Sequence, residues 1–236
     1  MNRLLVAASA LFLSGAVRAQ DAVSPPQITQ VASTSRGITN VMRDAYRNPQ
    51  HTLAFFGITP GQTVIEVWPG AGWYTEILAP LLRDEGKLIA AHFDPESDVA
   101  FFRRSRADFA AKLAEDPQWY DKDELSTLNY DPQLPLAEPG SADRVLTFRN
   151  VHNWLAAGDD KAAQVFDKFY AALKPGGMLG VVEHQARAGT SLEDMIKTGY
   201  VTQAKVRELA EAAGFEMISI SPVNQNVQDT KYHPEG

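Results

Sequence analysis

Thr63-Val64-Ile65-Glu66-Val67-Trp68-Pro69-Gly70-Ala71-Gly72-Trp73-Tyr74, continuing into Thr75-Glu76-Ile77-Leu78, decides the fold. A β-branched run closes on an acid, a loop with two glycines one residue apart follows, and apolar residues then recur at helical spacing. This is how a strand hands over to a helix around a nucleotide-like ligand. Glycines turn the backbone tightly and let a ligand approach without a Cβ in the way. A carboxylate at the strand end accepts hydrogen bonds from hydroxyls or an amine, which suits a nucleoside better than a phosphate.

Outward from this stretch the same alternation continues. Downstream, Trp73 to Arg83 carries Ile77, Leu78, Leu81 and Leu82 at helical spacing, and Lys87-Leu88-Ile89-Ala90-Ala91-His92-Phe93 reads as a second buried strand closed by Asp94-Pro95. The spacing predicts a helix over 97–115, with Arg103, Arg104, Arg106 and Lys112 on its wet side. Glu124 to Asp131 is a weaker strand and Asp143 to Phe148 a stronger one, which enters the polar run Arg149-Asn150-Val151-His152-Asn153-Trp154. A helix over 161–173, the turn Lys174-Pro175-Gly176-Gly177, a strand from Met178 to His184, a helix over 202–213 and a strand over 215–220 complete the series. Apolar strand runs rather than in/out alternation mark a parallel sheet covered on both faces. Upstream, Ile38 to Tyr46 has helical spacing, and Asn48-Pro49 opens a further helix with Asn as N-cap.

The ends set the remaining bounds. Met1-Asn2-Arg3, the apolar run Leu4 to Leu13 and the small residues around Val17-Arg18-Ala19 have the layout of a secretory signal peptide cut after Ala19. The apolar run is too short for the roughly 20 residues of a bilayer span. The expected organisation is a signal peptide over 1–19, a flexible linker over 20–36 and one domain over 37–236, exported to the periplasm with no membrane attachment after cleavage. The formal charge is −7, and losing Arg3 and Arg18 makes the mature chain more acidic. An acidic chain without a Lys/Arg cluster argues against nucleic-acid partners. There is no cysteine, so there are no disulfides, thiolate metal sites or thiol nucleophiles.

Together, Val64-Ile65-Glu66 with Gly70-Ala71-Gly72, the Asp143-Arg144-Val145-Leu146 strand, Leu173-Lys174-Pro175-Gly176-Gly177 and Ala212-Ala213-Gly214-Phe215 resemble the class I S-adenosylmethionine-dependent methyltransferases, most closely an exported predicted-methyltransferase subgroup. The resemblance runs from about Ile38 to the C-terminus. It implies a Rossmann-like, doubly wound, mostly parallel α/β sheet with S-adenosyl-L-methionine lying across the carboxyl ends of the strands. Gly70 and Gly72, with Pro69 in the same loop, would pass beneath the methionine and ribose, and Glu66 would hold the methionine amino group. The acid expected at the end of the second strand is displaced: His92 stands in its place and Asp94 follows two residues later. Asp94 is the better ribose ligand by chemistry, because a carboxylate accepts from both hydroxyls. Asp131 resembles the family's adenine-contacting acid, or is a turn Asp before Pro132. Asn150 is a further donor-site candidate. Trp68 stands where the family's first glycine is usual, and the family's last, antiparallel strand has no counterpart after Ile220. An unpaired sheet edge would be an aggregation hazard there.

Methyl transfer is an in-line displacement, so the protein mainly positions donor and acceptor and removes at most one proton. His152 is the leading base candidate among Asn150, His152, Asn153 and Trp154, with Glu183 and His184 behind it. Tyr46, Trp73, Tyr74 and Trp154 are candidates for an acceptor wall, and the acceptor is expected to be a small molecule. His51, His92, His152, His184 and His233 are scattered singly, which argues against a metal site. No Gly-x-Ser-x-Gly elbow supports a hydrolase. A nicotinamide-dependent dehydrogenase is disfavoured because no third glycine follows Gly72 at the right distance. A ligand-binding module that keeps the fold without transfer chemistry is the alternative.

Overall fold

The computed structural model describes residues 2–7, 36–231 and 233. Chain order is β1 (Arg3–Ala7), α1 (Ile38–Val41), α2 (Asp44–Arg47), α3 (Pro49–Phe55), β2 (Thr63–Val67), α4 (Thr75–Leu82) and β3 (Lys87–His92). Then come α5 (Ala100–Glu115), α6 (Pro117–Tyr120), β4 (Glu124–Thr127), β5 (Ala142–Phe148), α7 (Val151–Ala157) and α8 (Asp159–Ala172). The series closes with β6 (Leu173–Val182), α9 (Leu192–Thr198), α10 (Gln203–Ala212) and β7 (Glu216–Ile220).

The strands pair in the order β4-β3-β2-β5-β6-β1-β7, every ladder parallel. Their apolar runs are explained by burial on both sides. Ile65, Val67, Ile89, Ala91, Val145, Leu179 and Val181 face a core completed by Trp154, Phe166 and Phe169 from α7 and α8. Val64, Leu88 and Leu146 face a second core with Leu53, Ile77 and Leu78 from α3 and α4. Each fully buried Val, Leu, Ile or Phe among them contributes about 1.5–3 kcal/mol before conformational entropy is counted. The chain winds outward in one direction through β3 and β4 and in the other from β5. The point where strand order reverses therefore lies between β2 and β5, where an open α/β sheet leaves a crevice for a ligand.

Several expectations change. The sheet is not left open between β6 and β7, because β1 lies between them, pairing Arg3 with Met178 on one side and Glu216 on the other. Among the described residues no strand follows Ile220. The expected linker and most of the expected signal peptide, residues 8–35, lie outside the described residues. Arg36, assigned to the end of the linker, is buried and pairs with Asp44 and Glu76. Lys174 to Gly177 is not a turn before a strand but a bulge within one: Ala142 pairs with Leu173 and Arg144 with Met178, so the four residues between are left out of the ladder, with Pro175 and Gly176 exposed and Gly176 at φ 82°. The helix predicted from Ile38 to Tyr46 is split into α1 and α2. Asn48 does precede α3, but in the left-handed region, with its side chain donating to the Val223 carbonyl rather than capping the helix. Among the described residues no helix is long and apolar enough to cross a membrane.

Candidate functional site

The glycine loop joins β2 to α4 at the reversal point. Glu66 is buried, and its Oε2 accepts from the Thr75 hydroxyl at 2.7 Å. Burial pushes its carboxyl up to about 7, against the opposing pull of the Thr75 hydrogen bond and the Lys112 ammonium. The Pro69 carbonyl accepts from the Gly72 N–H at 3.0 Å, which closes the turn. The two glycines do different work. At Gly70, φ 60°, an added Cβ would meet nothing within 4 Å, so the loop faces open space there. At Gly72, φ 78°, a Cβ would stand 2.9 Å from the Phe109 ring and 3.2 Å from Thr75 Oγ1, so this glycine is needed for packing.

The position of the family's ribose acid is used differently. The Phe93 N–H donates to His92 Nδ1 at 2.7 Å, which makes Nδ1 the acceptor, so Nε2 carries the proton and donates to the Gly70 carbonyl at 3.1 Å. Burial holds the imidazole well below its usual range, at about 4, and His92 is neutral at neutral pH. Asp94 is half-buried, and its Oδ1 accepts from the Glu96 N–H. Asp131 is exposed, and its Oδ1 accepts from the Gln133 N–H. Each carboxylate thus serves its own turn, and among the described residues no hydrogen bond or ion pair joins either to the loop. Between their neighbours Phe93 and Tyr130 lies the Trp68 indole. Its ring centroid is 4.7 Å from Phe93, 5.9 Å from Phe102, 6.5 Å from Tyr130 and 5.7 Å from Trp154. Its buried N–H has no acceptor among the described residues.

Trp68 (φ 48°) follows β2, and Arg149 (φ 64°) follows the neighbouring β5. Two bulky residues in the left-handed region, side by side at the sheet's carboxyl edge, are outliers of the kind found at functional sites. Asn150 clasps both turns, donating to the Val67 carbonyl at 3.0 Å and to Thr147 Oγ1 at 3.1 Å. On the β6 side, Glu183 is fixed by the Val151 N–H at 2.9 Å and the His184 N–H at 3.1 Å. His152 Nδ1 lies 3.4 Å from Glu183 Oε1. A cleft of about 280 Å³ opens here, floored by Tyr74 and Phe148, stacked at 3.6 Å, and rimmed by Arg43, Arg47, Arg149 and Tyr46. A wider one of about 600 Å³ adjoins it, and the two share Tyr46, Glu183, His184 and Asn224.

The sequence-selected residues therefore separate into groups. Glu66, Pro69, Gly70 and Gly72 form one loop; Asn150 ties that loop to β5; Asp94 and Asp131 stay at the surface of their own turns. Glu183 and His184 line the cleft. His184 is held below its usual pKa range by burial and Arg149, and its Nε2 is buried with no partner among the described residues. Tyr46 and Tyr74 line the cleft as expected of wall residues, whereas Trp154 is core and Trp73 packs beneath Arg36 and Arg47. Sequence reasoning misassigned two cations. Lys112 donates to the Ala71 carbonyl at 2.8 Å and to Glu76, and Arg106 to the Ser126 and Phe93 carbonyls, so both tie α5 to the site instead of facing water. The signal was present: Phe102, Arg106, Phe109 and Leu113 fall on one stripe of α5. Arg47 and Arg149 carried no such signal.

No family model matches the chain. The solved structure of an S-adenosylmethionine-dependent methyltransferase from Aquifex aeolicus superposes with a TM-score of 0.55 at 17% identity, covering 81% of this chain and 88% of its own. The fold is that of the class I methyltransferases. The [4+2]-cyclase SpnF shares the fold too, with a TM-score of 0.51 at 19% identity, covering 82% of this chain and 69% of its own. By sequence, the arsenite methyltransferase of Halobacterium salinarum is 24% identical over 183 residues, 74% of this chain. The match spans 42% of that relative's length. On this fold, the Glu66 to Gly72 loop is the strand-to-helix turn at the reversal point, and the cleft beside it lies on the β5–β6 half of the carboxyl edge.

Proposed function

We propose that this protein is an S-adenosyl-L-methionine-dependent methyltransferase acting on a small-molecule acceptor. The observation that carries the reading is the loop at the strand-order reversal: open above Gly70, closed by packing at Gly72, backed by the buried Glu66 and adjacent to a cleft. Bound there, the donor would supply an electrophilic methyl group. The chain's part is to hold the methionine end against Gly70 and Glu66 and the acceptor against the Tyr74–Phe148 floor. His184 lines the cleft, where His152 does not, and burial keeps it neutral, so it is better suited than His152 to take up a proton. The nucleoside half fits less well, because the Trp68 indole lies between Phe93 and Tyr130, so donor entry requires that side chain to leave its cluster. Arsenite is a poor acceptor candidate, since these residues include no cysteine to supply the soft thiolates that trivalent arsenic favours.

Calorimetric titration with S-adenosylmethionine, S-adenosylhomocysteine and NAD tests the reading. Saturable binding of the first two, lost in Gly70→Arg and at least tenfold tighter in Trp68→Gly, is the expected result; absence of binding to either overturns it. The packing of Trp68 also favours a second reading, a ligand-binding module that performs no transfer, and SpnF illustrates that the fold is not tied to one chemistry. We further propose that the chain is exported to the periplasm through its first 19 residues, a reading supported by the Met1–Arg3 start, the apolar run and Ala19 and opposed by the place of Arg3–Ala7 between β6 and β7, which cleavage would vacate. Intact-mass measurement of protein from the periplasmic fraction should find Gln20 as the first residue; a chain retaining Arg3 to Ala7 there would refute cleavage.

A further inference from the structure

We infer that the cleft beside the glycine loop takes a small organic anion, a carboxylate on an apolar body, with the acid on Arg47 and Arg149 and the body against the Tyr74–Phe148 stack. The inference deepens the methyltransferase reading and rests on it for the anion's role as acceptor. Three guanidiniums, Arg43, Arg47 and Arg149, line one cavity of about 280 Å³. Among the described residues none of the three forms an ion pair, whereas Arg36 nearby is paired with Asp44 and Glu76. The carboxylate in the lining, Glu183, already accepts from the Val151 and His184 N–H groups.

Arg47 shows the electrostatic consequence. It lies against the Trp73 ring, 4.7 Å from its centroid, and burial together with Arg43, Arg149 and Arg36 draws its guanidinium down to about 10. Like charges gathered at a partly buried site disfavour one another, and a bound anion relieves that repulsion while satisfying the planar donors bidentately. Arg149 holds its place through a left-handed backbone, its N–H donating to the Val182 carbonyl at 2.7 Å, a conformation strained for a residue with a Cβ. The floor is apolar, with the Tyr74 and Phe148 rings stacked face to face and Tyr74 buried. Cationic rim, aromatic floor and the His184 imidazole in the lining together match an unsaturated or aromatic acid better than a sugar or an amine.

Titration of the full chain with benzoate, benzamide and benzylamine reads the inference directly. Benzoate should bind saturably and at least tenfold more tightly than either isostere. Arg47→Gln and Arg149→Gln should each weaken it fivefold or more at an unchanged melting temperature and with S-adenosylhomocysteine affinity retained. Arg149 is exposed, so its variant keeps the test valid if Arg47→Gln loosens Trp73. Benzamide binding as tightly as benzoate, no benzoate binding, or wild-type affinity in Arg149→Gln overturns the inference. Loss of S-adenosylhomocysteine binding with benzoate binding intact would instead refute the methyltransferase reading and leave the anion site standing.

Discussion

Glu66 and His92 are both buried, both at strand ends beside the glycine loop, and shifted in opposite senses by the same cause. Glu66 titrates near 7 in the fold and about 4.5 when unfolded, so the folded state binds the proton more tightly and the carboxyl's cost to stability grows as pH rises through that window. His92 titrates near 4 folded and 6.5 unfolded, so its cost grows as pH falls through 6.5 towards 4. Between about 4.5 and 6.5 the two slopes offset each other. Glu66→Gln removes one of them, and its stability relative to the parent should improve by about 3 kcal/mol between pH 4.5 and 7.5, measured by urea unfolding; a flat difference would mean that the carboxyl is not desolvated. The two glycines should also behave differently. Gly72→Ala should cost about 2–3 kcal/mol, because φ is positive and the Phe109 ring must move, whereas Gly70→Ala should cost about 1 kcal/mol from backbone strain alone.

At the scale of elements, α5 is the clamp on the site. Arg106 donates to carbonyls at the ends of β3 and β4, Phe109 packs on Gly72 and Lys112 holds the Ala71 carbonyl. Removing the guanidinium leaves two strand-end carbonyls without their donor, and Arg106→Met should cost about 2 kcal/mol. Lys112→Met should cost less, because the ammonium is partly exposed, but amide exchange across residues 70–72 should accelerate several-fold. An equal loss of stability in both variants, with no change in loop exchange, would argue that α5 only covers the sheet. The other side of the site, β5 with α7, is held differently, by Asn150 and by the Glu183 carboxylate on the Val151 N–H.

For the whole molecule, β1 links its two ends. Arg3–Ala7 fills the place between β6 and β7, so the residues that carry the export signature also close the sheet. Deleting residues 1–19 should expose a facing pair of unsatisfied strand edges, lower stability by at least about 2 kcal/mol and promote association, read by urea unfolding and light scattering. An unchanged midpoint in a monomeric truncated chain would show that β6 and β7 do not need that strand.

The sequence by itself determined the alternation of parallel strands and helices, because apolar runs bounded by Gly and Pro turns report burial on both faces wherever they sit in the chain. It also determined the glycine loop, since Glu66, Gly70 and Gly72 lie within seven residues and their geometry is local. Only the tertiary structure decided what surrounds that loop. His92 became a loop anchor instead of a vacancy for an acid, Arg106 and Lys112 turned inward, and Trp68 settled among Phe93, Phe102, Tyr130 and Trp154. The anion-binding rim is of the same kind, since Arg43, Arg47 and Arg149 come from segments about a hundred residues apart. A cation's partner is set by which elements pack across it, and spacing along a chain carries no record of that.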